Sequence, residues 1–159
     1  MRPIFRSRSP AQTRKIGEIL AGEILKTPFS KKAFILGLEG DLGGGKTTFL
    51  QGVAKGLGIK QKILSPTFII MRKFPISNSL TVPTQQFLNF YHFDCYRIEK
   101  LKEILDLDFK KSISEPQNIV AIEWAEKIKK IIPKKTIWIR FEFINQKTRK
   151  ITIFLRNDN

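Results

Sequence analysis

The sequence predicts an α/β fold, a three-layer α/β/α sandwich whose central sheet is mostly parallel, with antiparallel strands at its edge. Two apolar runs, at residues 33–39 and 118–124, are nearly continuous, which is typical of strands buried on both faces of a sheet. Segments with helical periodicity alternate with such strands, an order that favours parallel pairing. Residues 136–155 alternate between polar and apolar side chains on either side of a turn, and therefore predict a C-terminal hairpin.

The first predicted helix has a clear start. Ser9 can cap it, Pro10 suits the first helical position, and Gln12 stands three residues after the cap, as in a capping box. The apolar positions that follow share one helical face: Ile16, Ile19, Leu20 and Ile24.

The later elements are predicted from their periodicity and from their flanking residues. A second helix is expected over residues 46–57, where Gly58 ends it. The others, in chain order, are an extended segment at 63–73, a polar loop at 75–86, a strand at 87–96, a short helix at 98–107, a short basic helix at 125–132, and hairpin strands at 136–143 and 150–155. We expect a single domain over residues 1–159, because this length suits one hydrophobic core.

The chain is strongly basic, with 29 Lys and Arg against 14 Asp and Glu and a net charge of +15. Such a charge favours polyanionic partners, for example RNA, nucleotides or acidic proteins. Because 20 of the 29 basic residues are Lys, a generally Lys-rich proteome is an equally good explanation. The charge alone does not decide between the two.

Several kinds of site are excluded by composition. Cys95 is the only cysteine and His92 the only histidine, so an intramolecular disulfide, a Cys-rich zinc site and a His cluster are impossible. The basic N-terminal segment lacks the apolar middle of a signal peptide. The apolar runs are far shorter than the ~20 residues that a membrane span requires. We therefore expect a soluble cytoplasmic protein.

A phosphate-binding motif follows the first buried strand. Residues 40–47, here called the phosphate loop, match G-x-x-x-x-G-K-[ST] and precede a predicted helix, the context that this motif needs. In this motif Lys46 reaches the β- and γ-phosphates of a nucleotide, Thr47 offers its hydroxyl to Mg²⁺, and Thr48 can bond the α-phosphate. The motif predicts a P-loop NTPase that binds the phosphates of a nucleotide together with Mg²⁺. The nucleotide-binding residues that it predicts are Asp41, Leu42, Gly43, Gly44, Gly45, Lys46, Thr47 and Thr48.

Two acids end apolar strands, where they can face the phosphate loop. Glu123 follows 118–122, and Asp94 follows 90–93. A nucleotide site needs carboxylates to hold the metal and orient water. Either acid could instead be a helix cap or a surface charge.

Two further features have equally plain structural explanations. His92 can be a packed or surface histidine rather than a catalytic one. Thr67, in Ser65-Pro66-Thr67, can act as a switch that turns toward the metal, or can simply belong to a turn before a strand.

The missing motifs narrow the choice of P-loop protein. No Asn-Lys-x-Asp or Thr-Lys-x-Asp stretch marks a GTPase, and no Leu-Ser-Gly-Gly-Gln stretch marks a transporter ATPase. Small-molecule kinases usually carry an Arg-rich lid over the phosphates, and residues 98–135 contain no Arg. A small ATPase remains as the favoured class. A kinase of a nucleoside or metabolite, and a nucleotide-sensing adaptor without hydrolysis, stay as alternatives.

Four blocks of the sequence resemble the TsaE (YjeE) family in their order and spacing: residues 40–49, 65–68, 91–97 and 122–124. The resemblance extends over about residues 9–155. It implies an ATPase that works with the TsaD and TsaB proteins to make threonylcarbamoyladenosine (t6A) beside the anticodon of tRNA. It also implies that tRNA is reached through that complex, and we expect the protein alone to be a monomer or a weak dimer.

The resemblance assigns roles to matching residues. It implies that Lys46 binds phosphate, that Thr47 and Glu123 reach the metal, that Asp94 is needed for hydrolysis and that Trp124 lies beside the nucleotide. The implied catalytic residues are thus Asp94, Lys46 and Glu123. This chain departs from the family in two places: Gly44 replaces the usual Ala, and residues 75–86 form a longer, more polar segment.

Overall fold

The computed structural model describes residues 2–65, 69–77 and 87–156. The elements, in chain order, are β1 (Ile4–Ser7), α1 (Pro10–Leu25), β2 (Phe34–Gly40), α2 (Lys46–Gly56), β3 (Met71–Pro75), β4 (Asn89–Asp94), α3 (Leu101–Leu105), α4 (Phe109–Ser114), β5 (Asn118–Glu123), a 3₁₀ helix (Ala125–Ile131), β6 (Ile137–Phe143) and β7 (Arg149–Leu155).

The strands form one mixed sheet in the order β1-β7-β6-β2-β5-β4-β3. The central strands β6, β2, β5 and β4 are parallel, while β1, β7 and β3 pair antiparallel at the two sides. The β6–β7 pair is the predicted C-terminal hairpin. The predicted fold class, a mostly parallel sheet with antiparallel edges, is confirmed.

Side chains alternate between two cores because successive residues of a strand point to opposite faces. In β5, Ile119 and Ala121 join the core under α1 and α2. Val120 and Ile122 join the core on the other face, together with residues of α3, α4 and the 3₁₀ helix. The sheet is therefore the middle of three layers, and its central strands are apolar on both faces.

The N-terminus of α1 agrees with the sequence prediction in its Ser9 cap and in Pro10, but the predicted capping box is not formed. The Ser9 hydroxyl accepts a hydrogen bond from the Gln12 backbone N–H at 3.1 Å. The Gln12 side chain bonds the backbone N–H of Arg8 at 2.7 Å, one residue before the cap. Both bonds fix the direction in which the chain enters the helix.

Other boundaries differ from the predicted ones. β1 and α4 were not predicted. Of the extended segment expected at 63–73, residues 66–68 lie outside the described residues, and the described residues before Met71, where β3 begins, form no strand. The helix expected at 98–107 is confined to α3 and turns, and the basic helix after β5 has 3₁₀ geometry. These elements are short, so partner strands and core contacts decide their conformation more than periodicity does. Residues 78–86 of the predicted polar loop lie outside the described residues. Among the described residues, no helix has the length and apolar character to cross a membrane.

Candidate functional site

The phosphate loop joins the end of β2 to the start of α2, at the carboxyl edge of the parallel strands. Gly40 has a φ of +123°, and a Cβ there would lie 2.0 Å from the carbonyl oxygen of Phe141 on β6. Only glycine fits this position, because its φ is unfavourable for other residues and the neighbouring backbone leaves no room. The sequence thus allows β2 to turn sharply beside β6 and to begin the loop.

Lys46, the first residue of α2, is buried at the centre of the loop. Its Nζ donates hydrogen bonds to the carbonyl oxygens of Gly40 and Asp41, both at 2.8 Å. The same atom lies 4.0 Å from the centre of the Trp124 ring. Burial lowers the pKa of Lys46, and the nearby carboxylates, Glu126 and Glu123 first among them, oppose that shift. The loop therefore holds a partly desolvated cation on fixed backbone dipoles.

Thr47 and Glu123 meet across the site, although 76 positions separate them in sequence. The Thr47 hydroxyl donates to Glu123 Oε1 at 2.8 Å. Glu123 Oε2 lies 2.6 Å from His92 Nε2, and both side chains are buried. His92 is thus a packed histidine, as one of the two sequence interpretations expected. It faces the carboxylate of Glu123, a contact that the sequence analysis did not predict.

Asp94 lies next to Glu123, because the two residues are paired in the parallel register of β4 and β5. Its Oδ1 accepts from the backbone N–H of Tyr96 and its Oδ2 from the Ser65 hydroxyl, each at 3.0 Å. Burial raises the pKa of Asp94, and these two hydrogen bonds partly oppose the rise. The ends of two adjacent strands thus present two carboxylates to the same cavity.

Trp124 follows Glu123 in a left-handed backbone conformation, with a φ of +56°. For a bulky residue this conformation costs on the order of 1–3 kcal/mol, and such strain tends to concentrate at functional sites. The turn brings the indole over Lys46 and within 5.0 Å of the Tyr96 ring, measured between ring centres. The Trp124 ring therefore flanks the lysine, and the Tyr96 ring lies next to Trp124.

Lys46, Thr47, Asp94, Glu123 and Trp124 line one cavity of about 580 Å³, a volume typical of small-molecule sites. All the predicted site residues contribute to its lining except Asp41, which instead offers its carbonyl to Lys46. The lining residues are Leu42, Gly43, Gly44, Gly45, Lys46, Thr47, Thr48, Ser65, Ile69, Ile70, Asp94, Tyr96, Arg97, Glu103, Glu123 and Trp124. Thr67, the predicted switch residue, lies outside the described residues.

Sequence reasoning alone did not assign Tyr96 and Glu103 to the site. Tyr96 stands two residues after Asp94, as the chain leaves β4, and Glu103 lies further on, in α3. For Tyr96, the available signal was that it directly follows a strand ending on a candidate acid. Residues in that position lie at the carboxyl end of the strand, where ligands bind in α/β sheets.

Comparisons with known proteins show the family to which the chain is similar. The family model described as "Threonylcarbamoyl adenosine biosynthesis protein TsaE" matches residues 7–151. The tRNA threonylcarbamoyladenosine biosynthesis protein TsaE of Bacillus subtilis is 35% identical over 148 residues, which cover 93% of this chain and 82% of that protein. The protein of the same description from Treponema pallidum is 30% identical over 147 residues, covering 92% and 96%.

A solved structure shares the fold. The crystal structure of YdiB from Bacillus subtilis superposes with a TM-score of 0.69 at 29% sequence identity. The match covers 99% of this chain and 88% of that one. The sheet and the phosphate loop described above thus lie almost wholly within the region that the two proteins share.

Proposed function

The chain belongs to the TsaE family, and from this premise we propose that it is a Mg²⁺-dependent ATPase of t6A formation in tRNA. Relatives of this family are named as tRNA threonylcarbamoyladenosine biosynthesis proteins. Beyond what these names state, we propose that the chain hydrolyses ATP, uses Mg²⁺ and acts together with TsaD and TsaB. In this proposal tRNA is reached through the complex with those proteins.

The hydrogen bond between Thr47 and Glu123 is the observation that carries the proposal. It joins the hydroxyl of the phosphate loop to an acid at the end of the neighbouring parallel strand. In P-loop ATPases these two kinds of oxygen lie on either side of the metal that accompanies the nucleotide phosphates. A glycine-rich turn without a ligand would not be expected to place a hydroxyl and a buried carboxylate together in this way.

The residues present fit a magnesium ion. Mg²⁺ prefers oxygen ligands and is usually held by one or two protein groups, with phosphate and water oxygens completing its shell. Thr47 and Glu123 would hold it, and no denser group of three or more His, Cys, Asp or Glu side chains occurs within residues 2–65, 69–77 and 87–156. When bound, the ion would neutralise charge on the β- and γ-phosphates.

The chain's own residues would divide the remaining work. Lys46 would exchange its carbonyl partners for phosphate oxygens and stabilise the charge that develops on the transferred group. Asp94 would orient the attacking water and accept its proton, because burial raises the pKa of this carboxyl toward the working pH. Trp124 would cover the site beside Lys46 and limit the access of other water molecules.

The test is ATP hydrolysis by the purified chain, alone and together with TsaD, TsaB and tRNA. We expect slow phosphate release from the chain alone and faster release in the mixture, with both lost in Asp94→Asn. Transfer of phosphate to a small acceptor would instead identify a kinase. Tight ATP binding without turnover in any mixture would identify a nucleotide-sensing adaptor.

A further inference from the structure

The peptide unit between Gly43 and Gly44, at the tip of the phosphate loop, is held at both of its ends. The Gly44 N–H donates to the carbonyl of Asp41 at 3.0 Å. The Gly43 carbonyl accepts from Nε of Arg149, on β7, at 2.8 Å. Because a peptide unit is planar, two bonds on opposite ends fix its orientation. Gly43 has a φ of +73° and no side chain to limit rotation of its backbone. The hydrogen bond from Arg149 is therefore the restraint that comes from outside the loop.

Arg149 is itself held in place before it reaches the loop. Its second nitrogen, Nη1, donates to the carbonyls of Asn145 and Thr148, at 2.7 and 3.2 Å, in the turn of the β6–β7 hairpin. Its guanidinium lies 4.4 Å above the ring of Phe143. The fork geometry of arginine allows these contacts at once, and lysine could make only part of them. The guanidinium is thus a fixed part of the hairpin.

The same hairpin bonds the phosphate loop at a second place, Asp41. The Asp41 N–H donates to the carbonyl of Phe141 at 3.2 Å, and the Phe143 N–H donates to Oδ2 of Asp41 at 3.2 Å. Asp41 in turn supplies one of the two carbonyls that bind Lys46. Strand β6 therefore fixes the beginning of the loop, and Arg149 fixes its tip.

We propose that Arg149 is a positioning residue of the phosphate loop, which holds the Gly43–Gly44 peptide in the orientation that binds nucleotide. This inference rests on the proposed function for its effect on ATP. Gly44 makes the loop more flexible than the alanine that the family resemblance implies at this position, so an outside restraint matters more here. Arg149 does not line the cavity, and its role is to shape the loop rather than to contact phosphate.

The test compares Arg149→Ala, Arg149→Lys and Lys150→Ala in the full chain. Lys150→Ala is the matched control, since it removes the same charge from the same strand but its partner is Glu142, at 3.1 Å. Two readouts are taken: the affinity and kinetics with Mg-ATP, and the amide hydrogen exchange of residues 41–45 without nucleotide. The Lys46→Ala variant and wild type establish whether ATP binds at all.

For Arg149→Ala we expect ATP to bind roughly tenfold more weakly, with KM raised and kcat changed by less than about twofold. Exchange in residues 41–45 should become faster. Arg149→Lys should lie between wild type and Arg149→Ala, and Lys150→Ala should match wild type. If Arg149→Ala does not fold, Arg149→Lys tests the inference, which then requires weaker ATP binding and faster exchange in Arg149→Lys than in wild type.

Wild-type affinity and wild-type exchange in both Arg149 variants would overturn the inference. An equal loss in Lys150→Ala would also overturn it, because the effect would then be one of charge alone. If wild type fails to bind ATP, the proposed function is wrong, and the exchange of residues 41–45 still decides whether Arg149 restrains the loop. The two failures are thus distinguished.

Discussion

His92 Nε2 lies 2.6 Å from Oε2 of Glu123, and the two side chains are almost fully withdrawn from solvent. The other oxygen of Glu123 accepts a hydrogen bond from Thr47, so the two oxygens are held by different partners. The imidazole therefore fixes the orientation of the carboxylate. Groups that orient a metal ligand in this way commonly change metal affinity or activity by about 10–100-fold when removed. The His92 Nδ1 has no hydrogen-bond partner among the described residues, so this single bond defines the side chain's polar role.

Replacement of His92 should therefore change the requirement for Mg²⁺ more than the affinity for nucleotide. We expect His92→Ala to need roughly tenfold more Mg²⁺ for half-maximal ATP hydrolysis. His92→Gln should recover part of the loss, because its amide can donate to Glu123. ATPase rates measured over a range of Mg²⁺ concentrations test this. An unchanged Mg²⁺ dependence in His92→Ala would show that Glu123 needs no such support.

Lys46→Ala and Asp94→Asn should separate binding from turnover. Lys46→Ala removes the cation of the phosphate loop, and we expect ATP binding to become at least about 100-fold weaker. Asp94→Asn keeps an acceptor for the Tyr96 N–H but cannot take a proton, so binding should persist while hydrolysis falls by about 100-fold or more. Calorimetric titration with ATP and single-turnover phosphate release give the two quantities. An equal loss of affinity in both variants would contradict this division of roles.

Asp94 should also impose a dependence of stability on pH. Burial raises its pKa in the folded protein above the ordinary value of 3.8, so the folded state favours the protonated carboxyl. The stability from that proton is complete below pH 3.8 and is lost as the pH rises through the higher folded pKa. At neutral pH the ionised carboxylate thus opposes folding, and Asp94→Asn should unfold at a slightly higher temperature than wild type.

Thermal unfolding of wild type and Asp94→Asn over pH 4–8 tests this sign. The difference in melting temperature should grow as the pH rises and should vanish toward the acid end. A variant that is less stable than wild type at neutral pH would show that the Ser65 and Tyr96 hydrogen bonds to the carboxylate outweigh its burial.

Glu39, the residue before the phosphate loop, should matter for stability more than for chemistry. It is buried, and its carboxylate pairs with Arg140 at 2.8 Å and with Arg156 at 2.6 Å. Glu39→Gln leaves two guanidinium groups without their anion, and we expect the free energy of unfolding to fall by about 1–3 kcal/mol. Urea unfolding measures the loss, with Glu142→Gln, an acid paired at the surface with Lys150, as the control. Equal stability of the two variants would contradict the prediction.

The sequence predicted those parts of the fold whose signals are local. Ser9 and Gln12 specify the start of α1 by themselves, and the apolar runs specify β2 and β5 because strands buried on both faces carry few polar residues. β1 could not be predicted, since its exposed residues form a strand only by pairing with β7.

The candidate site likewise contains residues that the local sequence identifies and one that it does not. Lys46, Thr47, Glu123 and Asp94 belong to a motif or end a buried strand, so their types and positions point to the site. Arg149 follows an exposed turn and looks like a surface charge in the sequence. Its contact with Gly43 depends on β6 lying beside β2, a pairing of segments about 100 residues apart that only the sheet order reveals.

The pairing of β1 with β7 joins residues from opposite ends of the chain, Ile4 with Thr152, and the Ile153 N–H donates to the carbonyl of Pro3 at 3.0 Å. Arg149, which bonds the tip of the phosphate loop, and Arg156, which pairs with Glu39 just before the loop, come from this same late segment. During synthesis Gly43 of the loop is made 106 residues before Arg149. A nascent chain on the ribosome thus carries the nucleotide motif before it carries the arginine that restrains the tip of the loop, and the loop reaches its full affinity for nucleotide only after β7 has been made.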